Sequence, residues 1–336
     1  MGRTTDVPRA GVPRRAMLAG GLAGGLTGLV PALARAQSLA GPRPVTIIVP
    51  YTPGSPPDVI ARAVGEGMSR RLGRPVVIEN RPGASGNIGT EAVARAAPDG
   101  NTLLVQATTI AMNVSLFRSI PYDPVVSFAP VATLMETEGT LVLNAQAGGN
   151  SLAELLSRAR ARPGGLNYAS PGVGTPHHLA MEMFKRRAGV DLTHVPYRGL
   201  SGAVTDIVAG HVAAMFIHTP PAVELNKDER VRVVAVTSEA RLPYLPNVPT
   251  LAEGGVTGVI MRDWYGLFAP AGTPPEVIAR LNEAANSVFQ GPDPLRALVA
   301  QGYEVVGGTP EALRERVAVA IPRWAAVVRE AGITAE

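Results

Sequence analysis

The sequence predicts an α/β protein built as two lobes, and three observations carry that prediction. Short apolar runs alternate with segments of helical periodicity along most of the chain. Proline and glycine fall between those segments, where they mark turns. About 300 residues follow a leader-like N-terminus, more than one ordinary core organises.

The alternation begins with a strand over Val45–Val49 and a helix over Asp58–Leu72. A strand over Val76–Ile78, a helix over Ile88–Ala97 and a strand over Thr102–Val105 continue it. It resumes with strands at Leu141–Leu143 and Leu166–Tyr168 and helices at Ser151–Ala161 and Leu179–Ala188. Leu192–Val195, Gly202–Ala209, Ala213–Ile217 and Val231–Val236 extend it. Pro249–Gly258 reads as a turn-rich connection, and Pro274–Phe289 as an amphipathic helix. Strands bounded by Pro and Gly and separated by helices predict parallel sheets.

Residues 1–36 read as an export signal. Arg14 and Arg15 precede a weakly apolar stretch, Met17–Leu33, that ends in the A-x-A pattern Ala34-Arg35-Ala36. Paired arginines before a mild hydrophobic core match a twin-arginine signal. The stretch is short and glycine-rich for a membrane span, which needs about 20 apolar residues. This leader carries Arg3, Arg9, Arg14, Arg15 and Arg35 against Asp6, and the whole chain is formally +4. The remainder is therefore formally neutral, and no bulk positive field points to nucleic acid or anionic lipid. The chain has no cysteine, which excludes disulfides, thiolate catalysis and zinc–thiolate sites.

Ligands of open α/β sheets sit beyond the carboxyl ends of strands, where helices begin. Four loops fit. The first runs from Pro50 through Tyr51, Thr52, Pro53, Gly54 and Ser55 to Asp58. Ser55 suits an N-cap, Pro56 a first helical residue, and Asp58 the capping-box position. Such a start favours an anion, so the Asp58 carboxylate is expected to be engaged locally. The second loop is Gly83-Ala84-Ser85-Gly86-Asn87-Ile88-Gly89, where small residues permit close backbone approach and Ser85 and Asn87 offer side-chain bonds. It lacks G-x-G-x-x-G spacing, so it does not predict a dinucleotide. Ala107-Thr108-Thr109 is the third, with Thr108 as a candidate. Tyr168 to His178 is the fourth, with Ser170, Thr175 and His177 as candidates. Neighbouring His177 and His178 point apart on a helix, and no metal is expected.

Enzyme signatures are missing: no G-x-S-x-G, P-loop or H-E-x-x-H occurs. An exported α/β hydrolase acting on a carboxylate or ester is the alternative from another class, and it would need Ser170 paired with His177 or His178. No cofactor is expected.

At these loops the chain resembles the tripartite tricarboxylate transporter substrate-binding family, also called the Bug family of periplasmic solute receptors. The resemblance rests on Val45–Gly54, Asp58–Arg62, Val76–Gly89 and Ala97–Gly100. Val195–Gly199, Thr205–Ile207 with Gly210, Trp264–Leu267 and Ala269–Pro274 complete the ordered set. It implies a type II periplasmic binding protein, a Venus flytrap with the ligand cleft between lobes. Lobe 1 would span residues 37–140 and the return 265–336, and lobe 2 residues 141–264, with hinges near Leu141 and Trp264. The family holds one carboxylate on the first two loops, which implicates Thr52, Ser55, Asp58, Ser85 and Asn87. The opposite lobe would contribute around Ser170, Thr175 and Asp206. The family's Gly-Gly in the first loop is replaced here by Gly54-Ser55 and then Pro56-Pro57, which stiffens and narrows it. The implied protein is a periplasmic monomer without enzymatic activity. It would capture a mono-, di- or aromatic carboxylate for membrane transporter subunits, and it binds no nucleic acid. A ligand-sensing partner of a two-component system would show the same capture.

Overall fold

The computed structural model describes residues 43–291 and 295–333, so the leader predicted over residues 1–36 lies outside the described residues. The chain opens with β1 (Val45–Val49), α1 (Pro56–Leu72), β2 (Val76–Asn80), α2 (Asn87–Ala94), β3 (Thr102–Ala107) and α3 (Thr109–Leu116). A long strand, β4 (Phe128–Asn144), follows. Next come α4 (Leu152–Ala161), β5 (Asn167–Ser170), α5 (Pro176–Ala188), β6 (Thr193–Pro196), α6 (Leu200–Ala209), β7 (Ala214–His218), α7 (Thr219–Leu225) and β8 (Val231–Val236). The chain returns through β9 (Arg262–Pro270), α8 (Pro275–Phe289), α9 (Arg296–Ala300), β10 (Glu304–Val305) and α10 (Pro310–Ala331).

The outer strands are parallel, as the alternation predicts. β1 lies between β2 and β3, and β5 between β6 and β7, all in parallel register. The centre departs from that prediction. β9 is antiparallel to both β3 and β4, and β4 is antiparallel to β7 and β8. The reason is connectivity. Parallel neighbours need a crossover connection. β4 instead runs straight from one group of strands into the other, and β9 comes back the opposite way.

β4 has 17 residues, against a usual strand length of about 5–6. Its first part pairs with β9, as far as Glu138 opposite Arg262. Its second part pairs with β7, beginning at Gly139 opposite His218. The partner therefore changes between Glu138 and Gly139, slightly before the Leu141 junction that the resemblance implies. Register shifts near Pro130/Ala132 and Thr133/Met135 mark bulges, which bend a strand and tolerate a residue that cannot donate. Gly139 is needed where the partner changes. A Cβ there would lie 2.5 Å from the Met261 Cβ on the returning segment.

Each half has its own core. In the first, Ile47, Val64, Leu103, Val105 and Leu267 pack with Leu281 and Ala285 of α8. In the second, Leu143, Leu155, Tyr168, Phe184 and Phe216 pack together. Burying each large side chain stabilises by roughly 1.5–3 kcal/mol. Helix α10 carries Leu313, Val317 and Trp324 onto Ile110, Met112 and Phe268, and Leu179 of α5 joins that cluster from the second half.

Carboxylates gather beside the point where β4 changes partner. Glu136 is buried and paired with Arg262 and Arg316. Burial pushes the Glu138 carboxyl up to about 7; Arg262 opposes this, while Glu304 and Glu136 add to it. Between the ordinary value of 4.5 and about 7 the folded chain holds a proton that the unfolded chain has released. Stability contributed by the protonated form is thus lost as pH rises through that window. Glu138→Gln stays neutral throughout. The melting temperature of the natural chain should fall more than that of Glu138→Gln between about pH 5 and pH 8, and parallel thermal melts check this.

Candidate functional site

A cavity of about 470 Å³ opens where the two halves face each other. Six helix starts border it: Ser55 to Pro57 of α1, Gly86 before α2, Thr109 of α3, Thr175 to His177 of α5, Gly199-Leu200 of α6, and His218 and Pro221 of α7. Asp263 and Tyr265 of β9 complete the wall. Helix starts present unpaired N–H groups and a partial positive charge. Seven prolines in the wall make much of it apolar and withhold N–H groups at several of those starts.

The first loop shows how local sequence sets up the site. Ser55 occupies the N-cap with extended backbone, yet its side chain makes no capping bond. An N-cap side chain normally accepts from the second or third helical N–H. Here the second helical residue is Pro57, which has none. The Ser55 hydroxyl is buried without a protein partner, and Ser55 lines the cavity. Asp58 is engaged locally, as the sequence predicts. Its carboxylate accepts from the Gly54 N–H at 2.8 Å, from Arg62 Nε at 3.0 Å and from Asn80 Nδ2 at 2.9 Å. Burial alone would raise the Asp58 carboxyl, but the bonds from Arg62, Gly54 and Asn80 outweigh it and hold it below the usual carboxylate range.

The second loop is strained. Ala84 and Ser85 have φ of 46° and 51°, the only non-glycine residues at positive φ among those described, and Gly83 and Gly86 flank them at 134° and 90°. Left-handed backbone costs a non-glycine residue roughly 1–2 kcal/mol, and such strain gathers at functional sites. The surroundings hold the turn. Asn113 Nδ2 donates to Ser85 O at 3.1 Å, and Thr90 Oγ1 donates to Gly86 O at 2.8 Å. Gln106 Nε2 donates to Thr90 Oγ1 at 2.7 Å, while Gln106 Oε1 accepts from the Tyr51 hydroxyl. The Tyr51 hydroxyl is thereby committed to the protein, and its ring lines the cavity.

Of the eleven residues singled out in the sequence, Tyr51, Thr52, Ser55, Ser85, Thr175 and His177 line the cavity. The other five have side chains engaged elsewhere. Asp58 braces the first loop. Asn87 Oδ1 accepts from Asn113 Nδ2 at 2.7 Å and from the Tyr122 hydroxyl at 2.6 Å. Thr108 ties its loop to β9: its N–H donates to Asp263 Oδ1 at 3.1 Å, and its Oγ1 accepts from the Trp264 N–H at 3.0 Å. Asp206 takes the Tyr197 hydroxyl at 2.5 Å and pairs with His211 at 3.2 Å. Ser170 is fully buried, and its hydroxyl bonds His194 Nε2 at 2.7 Å. That pairing also alters the hydrolase alternative. The partner is His194, not His177 or His178, and a nucleophile sealed from the cavity cannot meet a substrate there.

Thr109, named in the third loop beside the candidate Thr108, also lines the cavity, and sequence reasoning missed Asn113, Leu200, His218, Pro221, Asp263 and Tyr265, which line it too. His218 was accessible to the same logic. It ends a strand and is the N-cap of a helix whose first turn carries Pro220-Pro221, much as Ser55 is the N-cap of a helix that opens with Pro56-Pro57. Its ring lies 4.8 Å from that of His177, edge to face. Burial, reinforced by His218, pushes the His177 imidazole well below its ordinary value. Burial also lowers His218, with Asp263 opposing. Both rings are therefore neutral near pH 7. Both ring nitrogens of His177, His218 Nε2, Asn113 Oδ1 and Ser55 Oγ are buried without a protein partner. These are five of the six such side-chain atoms among the described residues, and all five belong to cavity-lining residues.

Two α/β halves sharing one long strand, with a cleft bordered by helix starts from both, define a two-lobed binding protein of the periplasmic receptor class. Comparison with known proteins agrees. A family described as "Tripartite tricarboxylate transporter family receptor" matches residues 60–333. The chain is 40% identical over 312 residues to the protein of the tcbD–tcbE intergenic region of Pseudomonas sp. strain P51, covering 92% of this chain and 93% of that one. The structure of the periplasmic binding protein BugD superposes with a TM-score of 0.80 at 32% identity, covering 88% of this chain and 100% of that one. Two proteins from Rhodopseudomonas palustris are each 35% identical. Rpa4515, solved with adipate, has a TM-score of 0.80 and covers 87% of this chain and 98% of its own. MatC, solved with bound malate, has a TM-score of 0.77 and covers 85% and 99%. The chain belongs to the tripartite tricarboxylate transporter receptor family, whose members include the Bug proteins. No helix among the described residues is long and apolar enough to cross a membrane.

Two substitutions in the first loop should act in opposite directions on the unliganded protein. Ser55→Ala removes a buried hydroxyl whose lack of a partner costs about 1–3 kcal/mol, so the melting temperature should hold or rise. Asp58→Asn should destabilise by about 1–2 kcal/mol, discounted because Arg62 is half-exposed. A depressed carboxyl contributes stability above its unfolded value and loses it as pH falls, so the Asp58→Asn deficit should shrink below about pH 4. Chemical denaturation at two pH values checks both.

Proposed function

We propose that this chain is a periplasmic solute receptor that captures a small organic carboxylate in the cleft between its lobes and delivers it to membrane subunits of a tripartite tricarboxylate-type transporter. The observation that carries this reading is the gathering of five partnerless buried polar atoms on residues that line one cavity. Buried polar groups are almost always paired, so such a concentration suits a place where a ligand supplies the partners. Family membership and the organic acids named with Rpa4515 and MatC support the carboxylate class. The export signal read over residues 1–36 supports the compartment.

Among the described residues, no arginine or lysine lies in the cavity wall. A carboxylate there would be held by the hydroxyls and backbone of the Thr52–Ser55 and Gly83–Gly86 loops, by helix starts and by water. Two lobes with a junction at Glu138–Gly139 and near Met261 would close on the solute as a hinge. The lobes would be residues 43–138 with 262–333, and 139–261. Capture and release then require no bond to be made or broken, consistent with a receptor that is not an enzyme and works as a monomer.

Thermal melts with mono-, di- and aromatic carboxylates test this. A ligand at a hundredfold excess over its Kd should stabilise the chain by about 2.7 kcal/mol. Ser55→Ala should weaken the best binder several-fold without lowering unliganded stability. If no organic acid stabilises the chain, the proposal fails.

A further inference from the structure

The polar end of the cavity is built around a carboxylate of the protein's own. Asp263 is 5% exposed and, among the described residues, is the only carboxylate in the cavity wall. Three elements meet there. Asp263 belongs to β9, its Oδ1 accepts the Thr108 N–H at 3.1 Å, and its Oδ2 lies 3.4 Å from His218 Nε2. That last separation is beyond the roughly 3.2 Å upper end of an ordinary N–H···O bond, and His218 Nε2 counts among the unpartnered atoms. His177 is packed edge-on against His218, with both of its ring nitrogens unpartnered. Among the described residues, no three His, Asp or Glu side chains are arranged to hold a metal ion.

We infer that the Asp263–His218–His177 cluster recognises a hydroxyl on the solute and rejects a second carboxylate, so that the preferred ligand is a hydroxy-monocarboxylate. This rests on the carboxylate-receptor reading above. The Asp263 carboxylate oxygens accept hydrogen bonds, whereas a neutral imidazole offers one donor and one acceptor. A hydroxyl answers both: it donates to Asp263 and accepts from a histidine N–H. A second solute carboxylate would set one acid group against another at Asp263, with no arginine or lysine among the described wall residues to offset it. An ammonium group would suit Asp263 but could give a histidine N–H no acceptor. Buried polar groups left unpaired by the wrong ligand are a strong source of discrimination.

Calorimetric titration of the chain with two matched sets of acids tests the inference. One set is hexanoate, 6-hydroxyhexanoate, 6-aminohexanoate and adipate. The other is benzoate, 4-hydroxybenzoate, 4-(aminomethyl)benzoate and terephthalate. In the set that binds, the hydroxy acid should exceed the unsubstituted acid and the diacid by at least about tenfold, the worth of a hydrogen bond to a charged group. Asp263→Asn retains an acceptor for the Thr108 N–H and removes the charge, so the preference over the diacid should narrow at least several-fold. A diacid, an amino acid or an unsubstituted acid binding most tightly to the natural chain overturns the inference while sustaining carboxylate capture. An unchanged preference in a folded Asp263→Asn variant overturns it too. The ranking on the natural chain decides the matter even if the variant fails to fold. Binding of none of the acids would remove the carboxylate reading and the inference with it.

Discussion

Everything in this structure hangs on one strand that belongs to two groups of strands. β4 donates and accepts with β9 up to Glu138 and with β7 from Gly139 onward. Because the same backbone continues through both, the halves cannot separate. Because the pairing partner changes at one peptide, they need not be rigid with respect to each other either. β9 repeats the crossing in reverse, so the two connections run side by side where Gly139 meets Met261. The cavity lies alongside this seam: His218 faces Gly139 across the β4–β7 ladder, and Asp263 faces Thr137 across the β4–β9 ladder.

The site concentrates features that a protein optimised only for stability would avoid. Two non-glycine residues sit in left-handed backbone, a capping serine makes no side-chain cap, and three ring nitrogens of two histidines are buried without a hydrogen-bond partner. Each carries a free-energy cost, and each is held in place by well-satisfied neighbours. Asn113 and Thr90 grip the strained turn, Asp58 fixes the first loop, and Thr108 ties the third loop to β9. The division of labour is consistent. Residues with saturated hydrogen bonds shape the wall, and residues with spare bonding capacity face the cleft. Preorganised groups of this kind lower the cost of ordering on binding.

Much of the fold was legible because it obeys local rules. Strand β1, helix α1 and most of the alternation through α6 announce themselves by apolar runs, prolines at helix starts and glycines at helix ends, while α3 was not read. The family was legible from the ordered loop motifs, and the matched receptor family bears that reading out. What escaped were elements whose character depends on distant partners. Only Leu141–Leu143 of β4 read as a strand, because a segment buried on both faces shows no alternation and Pro130 and Gly139 interrupt it. β9 was legible only as a motif around Trp264. Helix α10 went unread, although Thr309-Pro310 is an ordinary helix start. Within the cavity, Ser55, Ser85 and His177 were reachable because they lie on strand-to-helix loops. Asp263 was not, since it enters the wall from an antiparallel strand whose pairing no local pattern reveals. Asn87, Thr108 and Ser170 look equally polar in the sequence, and only three-dimensional packing shows that their bonds are already taken.

The central claim is that a solute carboxylate is held in the cleft beside the shared strand. The most direct measurement is a crystal structure of the chain with 3-bromo-4-hydroxybenzoate, with the bromine located by its anomalous scattering. The account predicts one strong peak inside the cavity, with the carboxylate against the Ser55 and Ser85 loops and the hydroxyl toward Asp263 and His218. A peak only elsewhere, such as the shallow surface depression formed by Ala159, Glu182, Lys185 and Asp191, or no bound acid at all, would contradict it.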